Sequence, residues 1–232
     1  MKKTLFYIFV FIALPSIAFS QNVNLGFSLG TGTNSMNNLK DYQDYYSRSF
    51  GGLDLEKASS FPGYVNYSAT IETELRRSIF GFNLGYQSTG GRVIYSDYSG
   101  LLRSDQTLSS FSFGGYYFIK NKNAISPFLH LELGFINTKM NFSEEIRVNT
   151  FSEDFSFDLN SLGSYIHLKT GYLFQVSEIE LRPEIGYLFN FFNEQFRFSE
   201  NENALLKLPN NSKPKPNWSG FRMALRIVFD LK

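Results

Sequence analysis

The last strand-length segment of the chain alternates strictly between apolar and polar residues. Every second residue from Phe221 to Leu231 is apolar, while Arg222, Arg226 and Asp230 share the opposite parity. Successive side chains of a β-strand point to opposite faces, so this parity places three charges on one face and none on the other. A helix would scatter both sets around its axis, and we therefore predict a strand with one uncharged face.

Seven earlier segments show the same two-residue period. The predicted strands are 23–30, 65–76, 80–87, 111–119, 125–136, 166–174 and 179–189, followed by 221–231. Phe128, Ile136, Leu173 and Leu188 depart from the polar parity of their strands. Eight such strands predict an all-β fold, a closed antiparallel up-and-down β-barrel.

Alternation alone does not say which face of a barrel meets the solvent, because a soluble barrel alternates with its apolar face inward. In this chain the polar set is mostly Gly, Ser, Asn and Thr, small residues that fit a narrow lumen. The apolar set carries no charge in the regular strands, and its rings gather toward strand ends, as aromatic girdles at two membrane surfaces require. The outward face is therefore predicted to contact lipid.

The connections between the predicted strands alternate in length. The long ones are 31–64, 88–110 (where the alternation partly continues), 137–165 and 190–220, and the short ones are 77–78, 120–123 and 175–177. Short periplasmic turns and long outer loops are typical of transmembrane barrels in the bacterial outer membrane. We accordingly predict a transmembrane barrel with both termini in the periplasm, closed because an open sheet edge in hydrocarbon would leave backbone groups unpaired.

The first twenty residues have the pattern of a cleaved signal peptide. Lys2 and Lys3 precede an apolar run, and Ala18 and Ser20 stand at the −3 and −1 positions before Gln21. The alternative is a single anchoring helix, but the run is interrupted by a proline and is shorter than the ~20 residues that span a bilayer. We predict a signal peptide over 1–20 and one barrel domain over 21–232.

Charge and cysteine content exclude several function classes. Without its two N-terminal lysines the chain keeps 20 of its 22 basic residues against 21 acidic ones, which argues against nucleic acid as a partner. The absence of cysteine excludes disulfides, thiolate metal sites and a lipid-modified cysteine at the cleavage site.

These features resemble a known family, the bacterial outer-membrane β-barrel proteins of the OmpA/OmpX type, and more narrowly the PorT-like barrels. The resemblance is carried by the Ser20-Gln21 junction, by 126–134 and 181–187, and by the alternating last strand. It implies contact with outer-membrane lipid and assembly through the barrel-insertion machinery, which reads the last strand. The chain departs from the family pattern in ending Phe229-Asp230-Leu231-Lys232 rather than on an aromatic residue.

The only two histidines, His130 and His167, fall on the lumen parity of neighbouring strands, with Glu132 nearby. Two imidazoles and one carboxylate are a sparse ligand set, and polar packing explains them more simply, so we predict no metal, cofactor or catalytic residues. The charges on the lumen parity carry both signs; they are Glu72, Glu74, Arg76, Glu132, Lys169, Glu180, Arg182, Glu184, Arg222, Arg226 and Asp230. We predict that these charges form ion pairs across a lumen filled by side chains, rather than lining a conduction pathway.

The long loops are the remaining candidates for function. Leu39, Tyr42 and Tyr46 follow helical spacing behind Ser35, so a short helix is predicted whose rings either stack on a protein or glycan partner or cover the barrel mouth. Residues 200–218, rich in Asn, Lys and Pro, are predicted to form a mobile loop.

Three functions remain open from the sequence. The first is a non-enzymatic barrel that is structural or presents its outer loops to a partner, and the second is a channel or transporter for small solutes. An enzyme that modifies membrane lipids is the third, but no loop contains a histidine to act as its base.

Overall fold

The computed structural model describes residues 23–50, 55–75, 77–98, 100–119, 125–201, 203–207 and 213–231. The predicted signal peptide and Arg76 lie outside these described residues. The elements are β1 (Val23–Gly32), α1 (Asn37–Ser49), β2 (Glu56–Ser60), β3 (Tyr64–Leu75), β4 (Ser78–Ser96), β5 (Gly100–Ile119), β6 (Ile125–Val148), β7 (Phe151–Val176), β8 (Ile179–Asn193), β9 (Arg197–Phe198) and β10 (Gly220–Leu231). Among the described residues, no helix is long and apolar enough to cross a membrane.

Eight strands form a closed antiparallel ring. Its order is β1, β3, β4, β5, β6, β7, β8 and β10, and the last strand pairs with the first, for example Leu225 with Leu29. Closure gives every ring strand two neighbours, which leaves no sheet edge at this level of the barrel. The predicted eight-stranded up-and-down barrel is confirmed.

Side-chain exposure confirms the predicted parity. In β10, Leu225 is exposed while its neighbour Arg226 is fully buried inside the barrel. The exposed apolar side chains of the ring form a band that we call the apolar belt. It includes Phe27, Leu29, Val65, Tyr67, Ile71, Phe80, Leu84, Tyr86, Phe111, Tyr117, Leu129, Leu131, Leu133, Phe135, Leu168, Tyr172, Ile185, Phe189, Phe221, Met223, Leu225 and Phe229.

Two of the predicted loops are wrong. Residues 88–110 and 137–165 are mostly strand, because β4 runs to Ser96 and β6 to Val148 before the chain turns back into β5 and β7. Beyond the belt, β2 adds to β4 and β9 adds to β7, giving a sheet of order β2, β4, β5, β6, β7 and β9 that we call the extension. Asn149, with φ of 54°, supplies the positive φ of the tight turn between β6 and β7.

The strands were predicted too short because the polarity of their two faces reverses at the end of the belt. Beyond it the inward side chains are apolar and the outward ones are polar. In the extension, Leu108, Met140 and Leu159 point inward and are buried, whereas Arg92 and Asn141 point outward and are exposed. Backbone pairing continues through the change, so the strand does not end where its outward side chains stop being apolar.

The predicted tight turns and the predicted helix can be compared with the structure in turn. The tight turns between β3 and β4 and between β7 and β8 are confirmed, and the third predicted turn, 120–123, falls outside the described residues. The predicted helix is confirmed as α1, with Met36 at its N-cap. Both termini of the barrel lie at the end with the tight turns, which we call the turn end; Val23 there pairs with Leu231.

Candidate functional site

Glu132 is the centre of a buried polar network inside the barrel. Lys169 donates to its Oε2 at 2.8 Å, and the Tyr165 hydroxyl and Asn83 amide donate to its Oε1 at 2.6 and 2.9 Å. These groups come from β4, β6 and β7, and all four residues are buried. A buried carboxylate is tolerated when it is paired and hydrogen-bonded in this way.

Both histidines face the same carboxylate. His130 Nε2 lies 3.7 Å and His167 Nδ1 lies 4.0 Å from Glu132 Oε2, beyond hydrogen-bond distance. The Lys169 ammonium already binds that oxygen, and His130 stacks on the Tyr116 ring with centroids 4.6 Å apart. In the part of the chain that the structure describes, no group of three or more His, Asp or Glu is arranged to hold a metal ion.

A second set of charges lies closer to the turn end. Arg182 binds both oxygens of Glu72, at 2.5 and 2.8 Å, and also pairs with Glu180. The Tyr116 hydroxyl donates to Glu72 at 2.6 Å. Such a bidentate pair with an added hydroxyl donor satisfies most of the hydrogen-bonding capacity of the buried groups.

A third pair lies between the two sets of charges, and its Arg226 guanidinium lies 5.5 Å from the centre of the Tyr116 ring. Arg226 donates to Glu184 at 3.0 Å, and Lys169 lies 3.9 Å from the same oxygen. The structure therefore brings together seven of the predicted lumen charges, which we call the lumen network: Glu72, Glu132, Lys169, Glu180, Arg182, Glu184 and Arg226. Glu74 and Arg222 are half-buried. Asp230 keeps the predicted inward parity, but it borders the turn-end opening of the barrel together with Glu74 and Glu180 and is exposed there.

Apolar side chains cover the lumen network at both ends. At the turn end, Ile79, Phe118, Phe128 and Leu173 pack together with Tyr116. At the opposite end lies a larger cluster that we call the plug; its buried members include Met36, Leu39, Tyr64, Leu108, Ile136, Met140, Leu159, Leu188, Phe196, Leu206 and Trp218. The four residues that departed from the polar parity, Phe128, Ile136, Leu173 and Leu188, belong to these two clusters.

Trp218 is the residue that sequence reasoning missed. Its side chain is 0% exposed, its Nε1 donates to the Thr138 hydroxyl at 2.9 Å, and its ring meets Tyr64 edge to face at 5.2 Å. The predicted mobile loop is thus fixed inside the barrel mouth at its C-terminal end. A lone tryptophan beside Asn, Lys and Pro was the available signal, since so large an apolar side chain favours burial.

A cavity of about 40 Å³ remains between the lumen network and the plug, bordered by Asn66, Gln87, His167 and Arg222 among others. That space holds a few water-sized occupants. Because paired charges and packed rings lie on both sides of it, the interior contains side chains where an open channel would contain water.

The inward face of the extension is only partly covered. On α1, Tyr42 and Tyr46 pack on the Phe142 ring, with centroids 6.3 and 5.8 Å away. Burial, with the nearby Glu144 charge, raises the pKa of Tyr42 to about 12. Toward the tip, Phe151 and Phe155 are 56% and 58% exposed.

The outward face of the extension is polar and ion-paired. Asp105 on β5 accepts from Arg92 at 2.5 Å and from Arg103 at 2.7 Å, and Asp158 on β7 pairs with Lys139 at 2.6 Å. Burial alone would raise the pKa of Asp105, but the hydrogen bonds from Arg92 and Arg103 lower it below its ordinary value. Such a surface is suited to water rather than to hydrocarbon.

The fold is similar to that of several solved structures. It is similar to Neisserial surface protein A (9% identity, 90% of this chain and 97% of that chain, TM-score 0.43). It is also similar to Ail, the attachment invasion locus protein of Yersinia pestis (11%, 90% and 97%, 0.35), and to the transport unit of the autotransporter AIDA-I from Escherichia coli (10%, 92% and 91%, 0.29). These neighbours are outer-membrane β-barrel proteins. No protein-family model matches the chain, and no curated protein matches its sequence.

Proposed function

We propose that this chain is an integral outer-membrane barrel that does not conduct and that presents the extension to a partner at the cell surface. The observation that carries the proposal is the contrast between a lumen closed by paired charges and packed rings and an extension built well beyond the apolar belt. With the extension at the cell surface, the turn end and both termini of the barrel lie on the periplasmic side.

The apolar belt supports membrane insertion. Strands β1 and β10, which stay at the level of the belt, have 10 and 12 residues, close to the ~9–11 residues of a tilted transmembrane strand. The closed ring pairs the backbone of every strand that faces hydrocarbon. We infer that lipid contacts the belt and that the polarity change on β4 to β7 marks the membrane surface.

A filled lumen supports a structural rather than a transport role. Opening a path would separate Arg182 from Glu72 and Lys169 from Glu132, and each separated charge would need new solvation in a confined space. It would also displace Trp218 from the mouth. This is why we rank a structural or partner-binding barrel above a small-solute channel.

The inward face of the extension is the surface best suited to a partner. Phe151 and Phe155 leave aromatic area exposed beyond the end of α1, and rings of this kind contact both proteins and glycans. Both histidines are buried in the lumen, away from this surface, which supports a non-enzymatic role. The narrower resemblance to OmpA/OmpX-type and PorT-like barrels stays a prediction.

Conductance in a planar bilayer tests the closed lumen. We expect no steady current from the purified, refolded protein, with a porin in the same bilayer as the positive control. Repeated single-channel steps of uniform size from a homogeneous sample would contradict the proposal and promote the channel.

Site-specific photo-crosslinking on intact cells tests presentation. A crosslinker at Phe155 is expected to capture a protein or glycan, whereas one at the buried His130 is expected to capture none. The register pairs Phe142 with Phe157, so replacing 143–156 by an Asn-Gly turn shortens the hairpin without altering the ring. Adducts elsewhere on the extension that persist in the shortened protein would refute a role for the hairpin tip.

A further inference from the structure

We propose that the cavity between the lumen network and the plug is a binding site for a small monovalent inorganic anion of the size of chloride, held by Arg222, Asn66 and Gln87. The site lies inside the barrel, apart from the surface of the extension, and it is compatible with a closed lumen.

The three proposed ligands come from adjacent parts of the ring. Asn66 on β3 pairs in register with Gln87 on β4, and Arg222 on β10 lies across β1, which separates β10 from β3. All three border the cavity of about 40 Å³. That volume fits one chloride with one or two waters and is too small for phosphate with its own hydration.

Three of the side chains that border the cavity have donor groups without a hydrogen-bond acceptor. Arg222 Nε and Nη2, Asn66 Nδ2 and Gln87 Nε2 are buried and have no hydrogen-bond partner in the described part of the chain. The Gln87 side chain is only 3% exposed, so bulk water does not satisfy it. Buried donors are nearly always satisfied in folded proteins, and four orphans around one cavity indicate an occupant that accepts hydrogen bonds.

Charge decides between water and an anion. The neighbouring cations Lys169 and Arg226 are balanced by the carboxylates Glu132 and Glu184. Arg222, in contrast, has no carboxylate partner among the described residues, and its guanidinium lies 5.5 Å from the centre of the Tyr64 ring. One unpaired cation beside a buried cavity favours a single negative charge, whereas water would leave that cation uncompensated.

The acceptors around the cavity leave room for an accompanying water. Asn83 Oδ1 and Glu184 Oε2 are also buried without a partner, and both residues border the same space. A water between the anion and these oxygens would separate like charges and satisfy both acceptors. His167 Nε2, likewise unpartnered, can donate or accept there according to its tautomer.

Bromide, which scatters anomalously and is close to chloride in size, tests the site directly. The protein is refolded and crystallised in bromide or in gluconate, a large anion that the cavity excludes. We expect one anomalous peak within hydrogen-bond distance of Arg222, Asn66 and Gln87 in bromide crystals. Density explained by water alone, without an anomalous peak, would overturn the proposal.

Halide-dependent stability in solution gives a second readout with isosteric variants. At constant ionic strength, the unfolding midpoint of the natural protein is expected to rise with chloride replacing gluconate, because a ligand that binds only the folded state stabilises it by mass action. Asn66→Asp supplies a negative charge in the same shape and is expected to abolish both the chloride dependence and the bromide peak, as is Arg222→Gln.

The matched control is Arg103→Gln, which removes an arginine from the outward face of the extension and leaves Asp105 paired with Arg92. It is expected to keep the full chloride dependence. If Asn66→Asp or Arg222→Gln retains that dependence, or Arg103→Gln loses it, halide acts elsewhere on the protein and the proposed site is wrong. A variant that fails to fold is replaced by the other, since either one tests the same cavity.

Discussion

Strand β4 crosses two environments, and its side chains reverse roles between them. At the belt Leu84 points outward and is 61% exposed, while Asn83 points inward and is buried. In the extension of the same strand Arg92 points outward and Val93 points inward with 0% exposure. The backbone pairing with β5 is unbroken from Ser78 to Ser96.

The comparison indicates that the surroundings of the barrel wall, rather than the strand itself, determine whether polar or apolar side chains face inward. In the proposed membrane arrangement, lipid around the belt accepts apolar side chains and leaves the lumen to polar groups, which must then satisfy one another. Water around the extension accepts the polar side chains, so the apolar ones bury against α1 and the plug. At both levels the side chains that are unlike the outer solvent face inward, and they form the lumen network at the belt and the plug beyond it.

The largest expected effect comes from breaking the lumen network. Glu132→Gln keeps the shape of the side chain but leaves the Lys169 ammonium without its nearest carboxylate, so we expect a loss of about 3–5 kcal/mol in the free energy of unfolding. A urea titration of the refolded barrel measures it. Adding Lys169→Met should recover much of the loss, because no unpaired ammonium then remains buried. A double variant as unstable as Glu132→Gln alone would show that the loss does not come from the unpaired Lys169.

The next effect tests the lipid-facing side of the comparison. Leu225→Arg places a charge on the apolar belt, and we expect a loss of ~2–4 kcal/mol if it lies near the bilayer midplane. Thr107→Arg, on the outward face of the extension, is the matched change and should stay within about 0.5 kcal/mol. Refolding titrations in lipid vesicles compare the two, and equal losses would mean that both positions meet the same solvent.

Removing one methyl group from the plug or from the belt is expected to have a smaller effect on stability than the changes of charge above. Ile136→Val removes a methyl group from the closely packed plug, and a loss of about 0.5–1.5 kcal/mol is expected. Ile185→Val on the belt should cost less, because lipid chains fill the space that a side chain leaves. Should the two substitutions prove equally costly in the same assay, the plug is no better packed than the lipid contact.

The smallest effect concerns pH and the outward face of the extension. The pKa of Asp105 is lowered in the folded state, so its contribution to stability is present above the unfolded pKa of ~3.9 and is lost as pH falls through the lower folded value. We expect amide exchange in the β4–β5 part of the extension to gain protection as pH rises through this range, after correction for intrinsic exchange. Asp105→Asn should remove that dependence, and a profile unchanged by the substitution would assign it to another group.

The sequence was informative where one environment held along a whole strand. All eight ring strands, the inward position of both histidines and seven of the lumen charges follow from a two-residue period read with lipid outside. It was less informative above the belt, because the prediction ended a strand where the outward apolar residues stopped. Leu102, Leu108, Met140 and Phe142 continue the period on the opposite parity, a signal that is visible only if the solvent is allowed to change along the strand.

By itself, then, the sequence determined the closed barrel, its strand parity and the α1 helix, since these depend on local periodicity and on the requirement that every backbone group in hydrocarbon be paired. Only the tertiary structure decided which charges meet, where Trp218 lies and that four donors border one cavity. These facts depend on contacts between residues distant in the chain, such as Glu72 with Arg182 and Thr138 with Trp218, whose distances are set by the register and the diameter of the ring.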